Sequence, residues 1–490
     1  MNVDREGRFD LSFVKHLTGE VPKLVQKGDV LFNNTNSPEL IGKTTAIPID
    51  DRMAYSNHMT RIRLEDGMSS VFTAKQLHFL WMSGYFLHRC KNHVNQASIA
   101  AEPLAKTVPF ALPSSREQER IADTLDELLS DLDAGVAALE RVQKKLKHYR
   151  AAVLKAAVEG DLTADWRAQH PDTEPASALL SRILTERRRR WEEDQLRKFR
   201  EAGKEPPKNW KARYREPQLP EKPNSPSLPD SWIWTNVDTL SVPPIINGIS
   251  VKGSDSPPGI AALRLSAMSE NGFDYSKRRW LPLREKDVDD LWIEDGDFFV
   301  CRGNGSKKLV GRGTTAQEPP DAVIFPDTMM RLRFVPAIKE TRLFPVLWAS
   351  SCARTQIEKA AKTTAGIWKI AQPDLAKIVL PLPPLAEQEA IVEAVEAQLS
   401  VIDHLEADIA AKLKSAKGLR QSILRHAFTG QLVRQYPNDE PAAELLKRIA
   451  TERAERARVA ASARAATQSA SKQAKPLMKK AASKRASKST

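Results

Sequence analysis

Cysteine is scarce in this chain, and long apolar runs are absent. The three cysteines, Cys90, Cys301 and Cys352, have no paired spacing, which argues against a disulfide framework and indicates a reducing compartment. The N-terminal residues are polar and do not resemble a signal peptide. No apolar stretch approaches the ~20 residues that a membrane span requires. These absences predict a cytoplasmic protein.

The common catalytic and cofactor-binding motifs are also missing. Residues 42–45 (Gly-Lys-Thr-Thr) resemble the end of a phosphate-binding loop, but Ser37 stands where that motif requires glycine. No Gly-x-Gly-x-x-Gly follows a predicted strand, and neither Asn-Pro-Pro-Tyr nor Asp-Pro-Pro-Tyr of an amino-methyltransferase occurs. The nine histidines and three cysteines lack the spacing of metal ligands. We therefore predict a non-catalytic chain without cofactor or metal, and a fused nuclease or methyltransferase is disfavoured.

Acidic residues are absent from the end of the chain, where residues 461–490 hold eight Lys and Arg residues. This stretch supplies more than half of the formal net charge of +13. It has too few apolar residues to form a core, so residues 460–490 are predicted to be a disordered basic tail. A basic balance favours polyanionic partners, nucleic acid first and an anionic membrane second.

The chain does contain a long internal repeat. A Glu-Gln-Glu triplet at residues 117–119 opens an apolar-periodic run that closes at Gly160. The same triplet at residues 387–389 opens a similar run that closes at Gly430, so the offset is 270 residues at both ends. A repeat of this length is a duplicated domain rather than a solenoid unit. Two similar halves on one chain suit a target that also has two half-sites.

A β-rich segment precedes each of these runs. Short apolar runs, broken by Gly, Pro and Asn, fill residues 21–112 and 228–383 and predict strands. One helix is expected in each segment, near Lys75–Cys90 in the first and near Leu343–Ala361 in the second. The fold class is therefore predicted to be α+β.

The apolar-periodic runs predict two long helices. Apolar residues recur at steps of three and four through residues 116–158 and 387–428, which is a seam at near-heptad spacing. Ser114 or Ser115 can cap the first helix, and Gly160 can end it. Because one helix cannot bury such a seam alone, we predict that the two pack together as an antiparallel coiled coil. The alternative is that each packs on a separate partner protein.

These patterns divide the chain into seven parts. Relative to the second copy, the first β-rich domain lacks about 35 residues at its start. Within the linker, residues 186–226 could contact phosphates, although a solvated helix with a Pro-rich connector is the simpler interpretation. The predicted parts are a shortened first β-rich domain (1–112), a central long helix (113–165), a charged helix with a Pro-rich linker (166–227), a second β-rich domain (228–383), a C-terminal long helix (384–434), a charged helix (435–459) and the basic tail (460–490).

A polar loop follows an equivalent Gly-Asp pair in each β-rich domain. In such a loop Asn can pair with adenine, Arg can pair with guanine, and Lys can hold phosphates. An ordinary Gly/Asn hairpin is the alternative. The polar residues differ between the copies, as expected if each half reads a different sequence. The candidate DNA-binding residues are Asn33, Asn34, Asn36 and Lys43 in the first copy and Arg302, Asn304, Lys307, Lys308 and Arg312 in the second.

The chain resembles the specificity subunits of type I restriction–modification systems. The resemblance is carried by Gly28–Phe32, Pro383–Glu389 and Arg420–Leu432, and it covers nearly the whole chain except the basic tail. In that family two target recognition domains each read one half of a split DNA site. The paired helices set the spacing between the halves and resemble docking sites for two methyltransferase subunits. Motor and nuclease subunits join the complex, and the specificity subunit itself is not catalytic.

The resemblance implies that both β-rich domains are target recognition domains. The expected partners are double-stranded DNA, two methyltransferase (modification) subunits and the motor/nuclease (restriction) subunits, without a membrane or a cofactor. The competing hypothesis is a non-catalytic coiled-coil adaptor that binds protein only. Polar loops that differ on equivalent frames favour DNA reading, because identical loops would have favoured the adaptor.

Overall fold

The computed structural model describes residues 3–12, 19, 24–51, 53–93, 96–221, 227–269, 272–364 and 366–463. The predicted basic tail therefore lies outside the described residues from position 464 onward. The chain forms two compact units. The first unit comprises Met1–Glu140 and Ala410–Thr490, and the second comprises Arg141–Ile409. Each long helix thus contributes residues to both units.

Among the described residues, the first unit contains short strands, three helices that begin before the linker and a last helix after the second long helix. Its strands are β1 (Leu24–Val25), β2 (Val30–Asn33), β3 (Thr35–Asn36), β4 (Thr44–Ala46), β5 (Met53–Ala54), β6 (Met59–Ile62), β7 (Lys91–His93) and β8 (Gln96–Ser98). Its helices are α1 (Ser70–Met82), α2 (Ala101–Thr107) and the start of α3 (Ser115–Glu159).

The second unit repeats this order with additional elements. Its strands are β9 (Ile233–Asn236), β10 (Ser241–Asn247), β11 (Ile260–Leu263), β12 (Met268–Ser269), β13 (Gly272–Phe273), β14 (Arg278–Leu281), β15 (Phe298–Cys301), β16 (Gly303–Asn304), β17 (Gly313–Thr315), β18 (Met329–Phe334), β19 (Lys362–Thr364), β20 (Ile367–Lys369) and β21 (Val379–Leu382). Its helices are α4 (Ala164–Gln169), α5 (Ala176–Glu201), α6 (Val237–Leu240), α7 (Pro336–Lys339), α8 (Leu343–Ala349), α9 (Ser351–Ala360), α10 (Gln372–Ala376) and the start of α11 (Leu385–Phe428). A last helix, α12, occupies residues 442–463 of the first unit.

Both units are built on the same antiparallel sheet. Its order is β4-β2-β6 in the first unit and β17-β15-β18 in the second, where β10 adds a fourth strand beside β18. The middle strands β2 and β15 are buried along their whole length. A smaller sheet lies beside each, β3-β8-β7 in the first unit and β16-β20-β19 in the second. These matching sheets are the duplication that the repeat predicts.

The repeated Gly-Asp pair anchors the start of each middle strand. The Asp29 carboxylate accepts from the Gln26 amide at 2.9 Å and from the Arg63 guanidinium, also at 2.9 Å. In the second unit the Asp297 carboxylate accepts from the Glu294 amide at 2.9 Å and from Arg333 at 2.7 Å. Burial alone would raise the pKa of Asp29, but these hydrogen bonds outweigh it and hold that pKa below its usual range.

The two long helices are antiparallel in each unit. In the first unit, Leu125 near the start of α3 is fully buried in one cluster with Leu424 near the end of α11. In the second unit, Arg150 near the end of α3 pairs with Asp403 and Glu406 of α11. This confirms the predicted antiparallel coiled coil. The Ser114 hydroxyl caps α3 by accepting from the amide three residues on, at 3.1 Å.

Two predicted helices were wrong in their extent. The helix expected near Lys75–Cys90 is α1, which begins at Ser70 because the Ser69 hydroxyl accepts from the Phe72 amide. The helix expected near Leu343–Ala361 is two helices, α8 and α9, because extended backbone at Ser350 ends the first and caps the second. In both regions the apolar spacing continues past the residue at which the helix ends. Periodicity alone therefore does not reveal where each helix stops.

The region of the predicted charged linker helix contains the long helix α5. Its Arg187 side chain is buried and donates to the Ser241 carbonyl at 3.1 Å and to the Asp238 carboxylate at 2.8 Å. Arg189 and Arg190 pair with Glu186 one turn earlier. Much of the arginine run is therefore used within the fold. Among the helices of the described residues, none has the length and apolar character to cross a membrane.

Candidate nucleic-acid interface

A closed loop follows strand β15 in the second unit. The Cys301 amide donates to the Arg312 carbonyl, and the Gly311 amide donates to the Cys301 carbonyl, each at 2.8 Å. Gly311 has φ of +75°, and a Cβ atom there would lie 2.2 Å from the Ile357 side chain. Only glycine fits this position, because both the backbone conformation and the space require it. Residues 302–310 therefore form a loop with a fixed base.

The first unit closes the equivalent loop in the same way. The Asn33 amide donates to the Lys43 carbonyl, and the Gly42 amide donates to the Asn33 carbonyl, each at 2.9 Å. Gly42 has φ of +102°, and a Cβ atom there would lie 2.3 Å from the Phe86 ring. The Gly-Lys pair that resembled a phosphate-binding loop is thus a feature of the repeated frame.

A two-stranded β-ribbon stands beside the loop of the second unit. Strands β19 and β20 pair so that Lys362 lies opposite Lys369 and Thr363 opposite Trp368. Strand β16 of the loop pairs with β20, which places Asn304 opposite Trp368. Both lysines are exposed, and within the described residues neither forms a salt bridge. Loop and ribbon together form one polar, cationic surface, which we call the second recognition surface.

The predicted base-reading residues lie on this surface. Arg302 is half-buried, and its guanidinium donates to the Asp327 carbonyl at 3.2 Å. Asn304 is also half-buried, and its side-chain oxygen accepts from the Ser306 amide at 3.0 Å. Each side chain is therefore held at the surface by at least one hydrogen bond and carries several donor atoms. Such preorganised donors are suited to base edges.

The predicted phosphate-binding cations lie close by. The Lys307 ammonium stands 4.9 Å from the centre of the Trp368 ring, which is cation–π geometry. Lys308 is exposed, and Arg312 at the base of the loop is half-buried. Glu358 is the nearby acid, and its pKa lies below the usual range chiefly because it accepts from Arg354, with Lys307 and Lys308 adding to the effect. The structure thus brings together all five residues named in the second copy.

The first unit presents an equivalent surface with other residues. Strand β3 pairs with β8, and β8 pairs with β7, in the order found in the second unit. Asn36 lies in β3, half-buried, and its side-chain oxygen accepts from the Ser37 amide at 2.8 Å. Asn34 donates from its amide to the Thr60 hydroxyl at 2.9 Å. We call this loop and its ribbon the first recognition surface.

The other two residues named in the first copy are buried. The Asn33 amide group donates to the Leu40 carbonyl at 2.8 Å, and the side chain is 1% exposed. Lys43 is 5% exposed and its ammonium donates to the Val3 carbonyl. Burial lowers the pKa of Lys43 below its usual value. In this structure neither side chain reaches solvent, so a DNA contact by either one stays a prediction, and the proposal below rests on the exposed residues.

Sequence reasoning missed the two ribbons, residues 91–98 and 362–369. Lys91, Asn92, His93 and Gln96 of the first ribbon are exposed. Each strand has only three residues, which is too short for an alternating pattern to stand out. A weak signal was available in the second ribbon, where an Ile-Trp pair follows Gly366 among polar residues.

Metal ligation and thiol chemistry would each require particular side chains at these surfaces. The described residues contain no group of three or more His, Cys, Asp or Glu side chains that could hold a metal ion. The cysteine nearest the loop, Cys301, is buried, and this burial raises the pKa of its thiol. A protonated, inaccessible thiol is a poor nucleophile.

Comparison with known proteins agrees with this geometry. Residues 313–415 match the model of the family described as type I restriction modification DNA specificity domain. The chain is 27% identical over 471 residues to the type I restriction enzyme EcoKI specificity subunit of Escherichia coli (strain K12), covering 92% of this chain and 87% of that relative. It is 26% identical over 468 residues to the StySPI specificity subunit of Salmonella potsdam, with the same coverage.

A solved structure supports the fold. A chain from a study of complex assembly and conformational transition of the type I R-M system matches with a TM-score of 0.56 and 16% identity. The match covers 84% of each chain. Duplicated β-rich units with paired long helices and a polar ribbon on each unit define a class of bipartite binding proteins. Within that class, the chain is similar to the specificity subunits of type I restriction enzymes over most of its length.

Proposed function

We propose that this chain is the DNA sequence-specificity subunit of a type I restriction–modification complex. It reads a bipartite target with its two recognition surfaces and scaffolds the methyltransferase and motor/nuclease subunits. The chain itself performs no catalytic step. One observation carries the proposal: the two units share a frame down to the hydrogen bonds that close the loop, yet they present different side chains on it. A protein that reads two different half-sites requires this combination.

A comparison of equivalent positions in the two ribbons supports a division of roles between phosphate contacts and base contacts. Lys91 of the first ribbon and Lys362 of the second hold the same register position, opposite Ser98 and Lys369. A shared cation is suited to phosphates, which are the same at every site. The side chains that differ are suited to base edges, which vary from site to site. Since its target is cellular DNA, we place the protein in the cytoplasm.

Removing Arg302 and removing Lys308 should have different effects. Arg302→Ala should weaken binding of the cognate site by ~1–3 kcal/mol and relax one base position, because a base-edge contact is lost. Lys308→Ala should weaken cognate and random DNA alike and reduce the salt slope by about one unit, because a phosphate contact is lost. Binding titrations of both DNAs over a range of salt concentrations measure this.

A matched control is available on the same unit. Lys198 of α5 is an exposed lysine that pairs with Asp194 on its own helix, and Lys198→Ala should change neither the affinity nor the salt slope. If Arg302→Ala and Lys308→Ala behaved alike on both DNAs, the assignment of roles would be wrong.

Exposed apolar residues on the long helices support docking of two methyltransferase subunits. Tyr149 of α3 lies in the second unit and is 52% exposed, while Leu419 of α11 lies in the first unit and is 51% exposed. They are 270 residues apart, so the repeat places them at equivalent positions. Two exposed side chains at equivalent positions offer two like binding sites, one on each unit.

Each docking residue should therefore hold one subunit. Tyr149→Asp or Leu419→Asp should reduce the bound methyltransferase subunits from two to one, and the double variant should bind neither, because a buried unpaired charge opposes docking. Native mass spectrometry of the co-expressed complex counts the subunits. Lys144→Asp, an exposed change on α3, should leave two bound. Full assembly by the double variant would exclude this docking surface.

The alternative function is a coiled-coil adaptor that binds protein only. It is favoured by the same exposed apolar positions but gives no role to two differing polar surfaces. An assembled complex that bound every DNA sequence with equal affinity at all salt concentrations would support the adaptor.

A further inference from the structure

The tip of the second ribbon carries an exposed isoleucine. Ile367 follows Gly366 and is 46% exposed, although isoleucine is among the residues most often buried. Gly366 has φ of +79°, and the space beside it is open to 4 Å. The ribbon therefore projects its apolar side chain at an unobstructed turn.

The neighbours of Ile367 on the ribbon are cations. Side chains alternate between the two faces of a strand, so Ile367 and Lys369 share a face and are separated by roughly 7 Å. Lys362 lies opposite Lys369 and on the same face. Trp368 points to the other face, where Lys307 covers its ring. One face of the ribbon thus combines two exposed lysines with an apolar tip.

A β-ribbon with lysines at its base and an apolar tip fits the major groove of DNA. The major groove is about 12 Å wide and admits a two-stranded β-ribbon, with phosphates along both edges. Lysines at the base of the ribbon can reach those phosphates, while the tip reaches the base edges. The apolar group that the major groove presents there is the C5-methyl of thymine.

The first ribbon supports this assignment by contrast. Gln96 holds the register position of Ile367, since it pairs with His93 as Ile367 pairs with Thr364. The cation Lys91 is retained at the position of Lys362, whereas the tip changes from apolar to amide. A glutamine can pair with adenine, and an isoleucine cannot pair with any base edge through hydrogen bonds. The tips therefore differ in the base they can select.

We propose that Ile367 is a specificity-determining residue that contacts the C5-methyl group of one thymine in the half-site read by the second recognition surface. This inference rests on the DNA-reading function proposed above. It predicts that one position of that half-site is an A·T pair, selected by its methyl group rather than by a hydrogen bond.

Uracil in place of thymine tests the proposal, because it removes only the methyl group. The full chain is assembled with its co-expressed methyltransferase subunits, and its target is first determined by mapping methylated sites. Each thymine of both half-sites is then replaced singly by deoxyuridine in duplex oligonucleotides. Binding of the wild-type complex should weaken about three- to fivefold at one position, the effect of about one buried methyl group, and the position should lie in the second half-site.

The variant Ile367→Ala completes a double-mutant cycle. It should bind the thymine target about three- to fivefold more weakly than wild type and lose all sensitivity to uracil at that position. Gln96→Ala should keep the uracil effect while relaxing the other half-site. Leu196→Ala, an apolar truncation on α5 of the same unit, should bind like wild type and keep the uracil effect.

Other outcomes overturn the inference while leaving the proposed function intact. They are a second half-site without an A·T pair, no uracil effect in the wild type, or an Ile367→Ala loss that adds to the uracil effect. Additive losses would assign Ile367 to a wedge between base steps or to packing. Reduced subunit assembly with an unchanged uracil effect would assign it to a protein partner. A complex that methylates no defined site would instead remove the proposed function and this inference together.

Discussion

Replacing residues 228–383 with the matching domain of a related specificity subunit is expected to change one half of the methylated target and leave the other half unchanged. The exchanged segment contains the whole second recognition surface, and it includes the sheet β10-β18-β15-β17 on which that surface stands. Two core clusters, one around Phe299 and one around Ile324, lie entirely inside it. The segment can be exchanged as a unit if the replacement keeps its apolar residues in the larger cluster shared with α3, α5 and α11.

The exchange must keep the contacts that the domain makes within the second unit. Trp232 donates to the Glu387 carboxylate, which lies outside the exchanged segment. Gln388 likewise accepts from the Thr341 hydroxyl at 2.9 Å. The replacement should therefore retain Trp and Thr at these two positions. Mapping of methylated bases in cells that carry the chimaera and its methyltransferase measures the result.

The reciprocal exchange of residues 1–112 is the matched control and should change only the other half. It also tests the first recognition surface, whose sheet has three strands where the second has four. A chimaera that changed both halves, or a methylating chimaera that changed neither, would contradict the assignment of one half-site to each domain.

The long helices could be predicted from sequence almost to the residue. The predicted start at Arg116 and end at Val158 compare with Ser115 and Glu159 in α3. Both the capping serine and the terminating glycine are local signals, and the apolar seam extends over many turns. Antiparallel pairing also followed from sequence, because two seams on one chain have few other ways to be buried.

The recognition surfaces could be predicted only in part. The repeat located the loops correctly, since the Gly-Asp pair and the closing glycine are both visible in the sequence. It could not show that Lys43 is buried, because its partner Val3 is 40 residues away and the contact is tertiary. The repeat also could not reveal the ribbons. Their strands have three residues each, and they pair with β16 in the second unit and with β3 in the first. Short strands stabilised by tertiary pairing leave little local pattern.

Removing the carboxylate of Glu387 is expected to destabilise the second unit by ~3–5 kcal/mol, because it leaves buried donors without their acceptor. The side chain is fully buried in the first turn of α11. Its carboxylate accepts from the Trp232 indole at 2.7 Å, from the Thr163 hydroxyl at 2.6 Å and from the Arg167 guanidinium. Trp232 immediately precedes β9, and Thr163 and Arg167 lie in the segment that follows α3. One carboxylate of α11 therefore connects three parts of the unit.

The repeat supplies the control. Glu117 is the equivalent residue 270 positions earlier, and it also lies in the first turn of its helix. The described residues give its carboxylate no comparable set of donors. Glu117→Ala should therefore cost much less than Glu387→Ala, about 0.3–1 kcal/mol for the lost interaction with the helix dipole. The difference between Glu387→Ala and Glu117→Ala isolates the buried network from the effect of helix position.

Thermal unfolding of the full chain, followed by circular dichroism, should show a midpoint several degrees lower for Glu387→Ala than for Glu117→Ala. Hydrogen exchange should localise the loss of protection to the start of α11 and the end of α3. If Glu387→Ala does not fold, Thr163→Val removes a single donor and should cost about 0.5–1.5 kcal/mol. Equal midpoints for the two glutamate variants would show that the network contributes nothing beyond the helix dipole. The stability of the second unit would then rest on its apolar core alone.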